Sequence, residues 1–62
     1  MKQITQKNII ELKGYGLDLY DIKLIKNVAL EHKMYDLIVF INNHPYEYLE
    51  FITKLNEKTP WS

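Results

Sequence analysis

Nucleophilic chemistry has almost nothing to start from in this chain, whose 62 residues include no cysteine and a single serine, Ser62, at the very end. Covalent catalysis would fall to a threonine or a lysine held in a pocket, and a bundle of this length can hardly enclose one. Metal binding fares little better. His32 and Asp36 stand four residues apart and would share a face if a helix ran through them, but two exposed ligands of this kind are ordinarily a surface pair. His44 precedes Pro45 and reads as a turn residue. The carboxylate pairs Asp18/Asp21 and Glu47/Glu50 fall at expected helix starts, where capping and the helix dipole account for them without acid–base work. The expectation is a protein with no catalysis, no cofactor and no metal.

Charge gives a second line of argument. Eight lysines balance eight carboxylates and there is no arginine, so no global field draws the chain to nucleic acid or to an anionic membrane. Lysine, isoleucine, asparagine and tyrosine without arginine read as the codon bias of an AT-rich genome, which points to a bacterium or its mobile elements. The balance is uneven along the chain. Residues 1–33 hold six lysines against four acids and residues 34–62 hold two against four, so the halves carry +2 and −2. The order helix, glycine turn, helix over residues 6–33 has the form of a helix-turn-helix unit, with Lys23, Lys26, Asn27 and Lys33 along one side of its second helix. Specific DNA binders make roughly six to ten phosphate contacts and favour arginine for reading guanine, and this chain is short of both. A DNA-binding regulator is therefore the second reading, and a solvated lysine face is the plainer account of the same residues.

The aromatic residues point elsewhere. Tyr15, Tyr20, Tyr35, Tyr46, Tyr48 and Trp61 are more large amphipathic side chains than a small helical core readily absorbs, and these residue types are enriched in interface hot spots. Any single tyrosine can equally cap a core with its hydroxyl in water. Tyr46 and Tyr48 flank Glu47 and cannot both face one core, so at least one of them is expected outside. Tyr46, Tyr48, Trp61 and Phe40 are the candidate protein interface.

Elements that could position these residues follow from the apolar spacing. The stretch Met34–Ile41 is the most apolar run, with Met34, Leu37, Ile38 and Ile41 at i, i+3, i+4, i+7; Val39 and Phe40 fall off that stripe. A helix here is apolar on most of its circumference and belongs at the centre of a bundle or between subunits. Ahead of it, Thr5 is the expected N-cap of a helix that starts near Gln6, buries Ile9, Ile10 and Leu12, and ends before Gly14 in a left-handed C′ position. Asp18 is the expected cap of a second helix, with Asp21 at N3 and a stripe of Leu17, Tyr20, Leu24, Ile25 and Val28. No glycine or proline interrupts residues 19–42, so one long helix is sterically open there, but Glu31-His32-Lys33 breaks the apolar phase and favours a turn. Asn42-Asn43-His44-Pro45 is the clearest punctuation: a last helix should start at Pro45, bury Tyr48, Phe51, Ile52 and Leu55, pair Glu50 with Lys54, and stop at Thr59-Pro60.

These elements compose an all-α fold, a compact bundle of three or four short helices in one domain spanning residues 1–62. A domain of this size buries only about 60% of the surface its unfolded chain exposes, so a homodimer that covers further apolar surface is a live alternative to a monomer. No apolar stretch approaches the roughly 20 residues of a membrane span and the N-terminal residues do not read as a signal peptide, so a soluble cytoplasmic protein is expected. The functional expectation is a small interaction or regulatory protein, of the kind a phage or mobile element uses to inhibit a larger protein, with another protein as its partner.

Overall fold

A helix that is apolar on most of its circumference has to be covered from several directions. In the computed structural model, which describes residues 1–57, that helix is α3 (Tyr35–Asn43), and it packs against each of the other three: α1 (Gln3–Gly14), α2 (Ile22–Glu31) and α4 (Pro45–Glu57). The described residues form no strand, so the fold is an all-α bundle of four short helices. Ile9 and Leu12 from α1, Ile25 and Ala29 from α2, Leu37, Phe40 and Ile41 from α3, and Tyr48 and Ile52 from α4 make one core, closed by Leu19 and Met34 from the connections. None of the described helices is long and apolar enough to cross a membrane.

Phe40 is the first correction. Expected off the stripe beside Val39, it is only 8% exposed, because α1 and α4 cover α3 on flanks that the spacing alone left open. Val39 does face outward. The start of α1 is the second. The helix begins at Gln3, Lys2 stands at the N-cap without a side-chain cap bond, and Thr5 lies inside the helix, on the buried face with Ile9 and Leu12. Packing of that face on α3 outweighs the capping preference of threonine, which is worth only about 1 kcal/mol. Ile10, expected inside, is exposed.

Each connection reverses the chain by a different device. After α1 the left-handed residue is Gly16 (φ 81°), whose N–H donates to the Lys13 carbonyl at 3.0 Å, and not Gly14. Asp18 then heads a local turn, its Oδ1 accepting from the Tyr20 N–H at 3.0 Å, while Asp21 is the residue that caps α2, accepting from the Leu24 N–H at 3.2 Å. The second helix thus starts three residues later than its first candidate cap implied. Between α2 and α3 the expected turn is present and closes as a Schellman motif: the Met34 N–H donates to the Ala29 carbonyl at 2.7 Å and the Lys33 N–H to Leu30 at 3.1 Å, around Lys33 at φ 58°. Between α3 and α4 stands one residue, His44. Its N–H donates to Phe40 at 2.7 Å and its carbonyl accepts from the Tyr48 N–H at 3.1 Å, so the proline start of α4 is as the sequence implies.

Two outcomes follow from this packing. Leu37→Ala should destabilise the fold by about 2–5 kcal/mol, since Leu37 is wholly buried on the helix that every other helix touches; an unchanged thermal melt would place the core elsewhere. Lys33→Gly should raise the urea midpoint, because the left-handed cost of about 1–2 kcal/mol exceeds the unfolded-state freedom of about 0.4–1 kcal/mol that glycine adds. A lower midpoint would mean that the Lys33 side chain contributes more than its backbone costs.

Candidate functional site

The candidate interface residues that the structure describes do not share one surface. Tyr48 is fully buried, and its hydroxyl donates to the Leu19 carbonyl at 2.6 Å. Burial first, and the charge of Asp18 second, push its phenol well above the ordinary tyrosine range, so it stays a donor. Phe40 belongs to the core as well. Trp61, like the Thr59-Pro60 stop, lies outside the described residues. Tyr46 is the one candidate the structure places fully outside, 84% exposed on the first turn of α4.

The remaining tyrosines are exposed but not all idle. The Tyr20 hydroxyl is 2.9 Å from Thr53 Oγ1, and because the single Thr53 hydroxyl proton is donated to the Leu49 carbonyl at 2.8 Å, Tyr20 must be the donor. The rings of Tyr15 and His32 lie 5.6 Å apart. Tyr35 is exposed at the start of α3.

The lysine set is only partly assembled. Lys23 and Asn27 are exposed on α2, Lys26 beside them is half-buried, and Lys33 sits in the turn beyond the helix. The α1–α2 connection, residues 15–21, is also longer than the three or four residues, roughly, of a helix-turn-helix turn. A turn of that length does join α2 to α3, yet α3 presents Tyr35, Asp36, Val39, Asn42 and Asn43 to solvent and carries no lysine. The same turn separates His32 from Asp36, so the one candidate metal pair does not share a helix. No group of three or more metal-ligating side chains gathers among the described residues.

What sequence spacing did not reveal is a cleft of about 400 Å3 between the start of α1 and the α3–α4 junction. Met1, Lys2 and Thr5 line it from one side, Asp36, Val39, Phe40 and Asn43 from α3, and His44 and Glu47 from the junction. One ion pair crosses its rim, Lys2 Nζ to Asp36 Oδ1 at 3.6 Å, and at the junction His44 Nδ1 lies 3.3 Å from Glu47 Oε1. All four side chains are at least half exposed, so each pair is worth little. Thr5, His44 and Glu47 in one cleft are the residue types of a hydroxyl nucleophile, a base and its orienting acid. The chemistry would need Thr5 within hydrogen-bond reach of His44, and no such bond is present among the described residues. The His44–Glu47 contact is a surface pair three residues apart that also places a carboxylate at the positive end of α4.

Tyr48→Phe should cost about 1–3 kcal/mol of stability by removing the donor from the buried Leu19 carbonyl. The folded-state pKa of this phenol is raised, so its contribution is complete below the unfolded value of about 10 and is lost as pH climbs above it. The wild-type melting temperature should fall more steeply above that pH than that of the phenylalanine variant; parallel curves would show that the phenol is not held protonated.

No protein-family model, curated protein sequence or solved structure matches this chain, and function has to be argued from the placement of its side chains.

Proposed function

We propose that the protein is a small protein-interaction module that binds a partner polypeptide through the α3–α4 side of the bundle. The observation that carries this reading is the contrast between Tyr46 and Tyr48. The fully buried Tyr48 locks the rotation of α4, and that locked helix then holds Tyr46 out in water, two positions away and 84% exposed. A large aromatic on a rigid helix contributes contact area at low entropic cost, which is the property that makes tyrosine a recurrent hot-spot residue. Val39, exposed on α3, lies on a helix joined to α4 by the single residue His44.

A nucleic-acid partner is served less well by the same surface. The exposed positions of α3 carry Asp36 and the first turn of α4 carries Glu47, both of which a phosphate backbone would repel. The lysines of α2 lie on another helix.

The reading is tested by affinity capture from a lysate of the source cell, with nuclease treatment, on wild type and Tyr46→Ala. A protein should be retained after nuclease, and Tyr46→Ala should weaken its binding by about 2 kcal/mol or more with the helical spectrum unchanged. Loss of all captured material on nuclease treatment, together with a loss of affinity when Lys23 and Lys26 are neutralised, would replace it with DNA binding.

A further inference from the structure

We propose that the turn at Lys33 is a hinge through which the protein forms an exchanged dimer: α2 and α3 join as one continuous helix, and the α3–α4 half of each copy packs on the α1–α2 half of the other. The occupant of the opened core is a second copy of this chain, whichever partner the α3–α4 side binds. Residues 19–42 hold no glycine or proline, so nothing in the covalent chain breaks that helix. What breaks it is the conformation of one residue. Lys33 stands at φ 58°, in the left-handed region that lysine enters at a cost and glycine enters freely.

Locally the turn offers no more bonding than a helix would. Its closing bonds, Met34 N–H to the Ala29 carbonyl and Lys33 N–H to that of Leu30, would be matched by ordinary helical bonds if the helix continued. Met34 heads α3 without a side-chain cap bond, so the turn leaves the opening N–H groups of α3 to water. A helix running through would bond them to the last carbonyls of α2. The closed form is therefore held by the core it encloses, and the turn itself favours opening.

A second copy is needed because the core changes face at Lys33. Leu37 follows Ile25, and Ile41 follows Ala29, by twelve residues, which at 3.6 residues per turn puts each about 120° round a straight helix from its α2 counterpart. On that helix α2 and α3 no longer lie against each other, and these four side chains, buried in the closed fold, lose their mutual cover. Another copy in the same state restores it. The bonds that tie the two halves together, Tyr48 to the Leu19 carbonyl and Tyr20 to Thr53, re-form between chains. Charge favours the same pairing: residues 1–33 carry +2 and residues 34–62 carry −2, so the halves attract in trans as they do in cis. Strained short hinges invite exchange of this kind, and because association costs freedom that the closed monomer keeps, high concentration favours the exchanged form.

The test refolds the full chain from urea at high and at low protein concentration and follows its mass by sedimentation equilibrium. Wild type should give a dimer at high concentration. Lys33→Gly should raise the dissociation constant about thirtyfold or more, because the left-handed cost is relieved at two hinges in each dimer. Lys33→Val, which a left-handed backbone tolerates least, should lower it. The chain has no cysteine of its own, so a nitroxide on Tyr20→Cys marks one site. When unlabelled-nitrogen chains carrying that nitroxide are refolded with 15N-labelled wild type, the Thr53 amide of the 15N chain should broaden in the dimer, since residue 20 then meets Thr53 of the other copy. A dimer whose cross-chain broadening misses α4 would be a surface contact and would overturn the proposal. So would equal dissociation constants for wild type and Lys33→Gly, or wild type and Lys33→Val that both stay monomeric at the highest soluble concentration.

Discussion

One hydroxyl holds the longest connection of this fold in place. The segment between α1 and α2 has no regular structure of its own, and its buried residue, Leu19, carries a carbonyl that must be bonded once it is out of water. Tyr48 donates to it from α4, across the bundle. That bond anchors the segment that leads into the second helix, and it sets which side of α4 turns inward. From the orientation of α4 follow the exposure of Tyr46, the position of Glu47 on the rim of the cleft, and the availability of Thr53 to Tyr20. Removing the donor would loosen the seven residues 15–21 and the register of a helix at once.

How much of this could be read from the sequence depended on whether the signal was local. The helix at Met34–Ile41 was legible because its apolar positions leave no face for solvent, and the start of α4 because Pro45 both ends one helix and begins another. Where two local signals compete, packing decides between them. Thr5 is a good N-cap and also a small side chain on the buried face, and burial prevailed. Asp18 and Asp21 both cap, but only Asp21 stands where a helix packed on α3 can start. Gly14 and Gly16 are alternatives for the left-handed position, separated by one turn residue. The Schellman motif around Lys33 had no glycine or asparagine to announce it; it was found only as a break in phase.

The candidate surface was less legible, for a physical reason. Interface and core use the same residue types, so Phe40 and Tyr48 could be told from Tyr46 only once α1 and α4 were seen to cover α3 on both flanks. The cleft draws on two separate parts of the chain, residues 1–5 and 36–47, and no spacing within either of them carries its signature. Thr5 has the residue type of a cap, a role in which its hydroxyl would bond a backbone N–H, and its place inside α1 puts it on the lining of the cleft instead.

The brevity of the α3–α4 junction has a consequence for how the cleft can move. His44 is the whole connection, and both its N–H and its carbonyl are bonded to the helices on either side, which leaves the junction between α3 and α4 little slack. Four of the lining residues and the two that follow them belong to α3, the junction and the first turn of α4. The opposite lip is built differently: Lys2 is extended, carries no side-chain cap bond, and meets α3 through one long ion pair. The cleft is thus a jaw with one fixed and one yielding edge. Selectivity would be set by the fixed edge, which is preorganised and loses little entropy when occupied, while the rate of escape would be set by how often the yielding edge lifts.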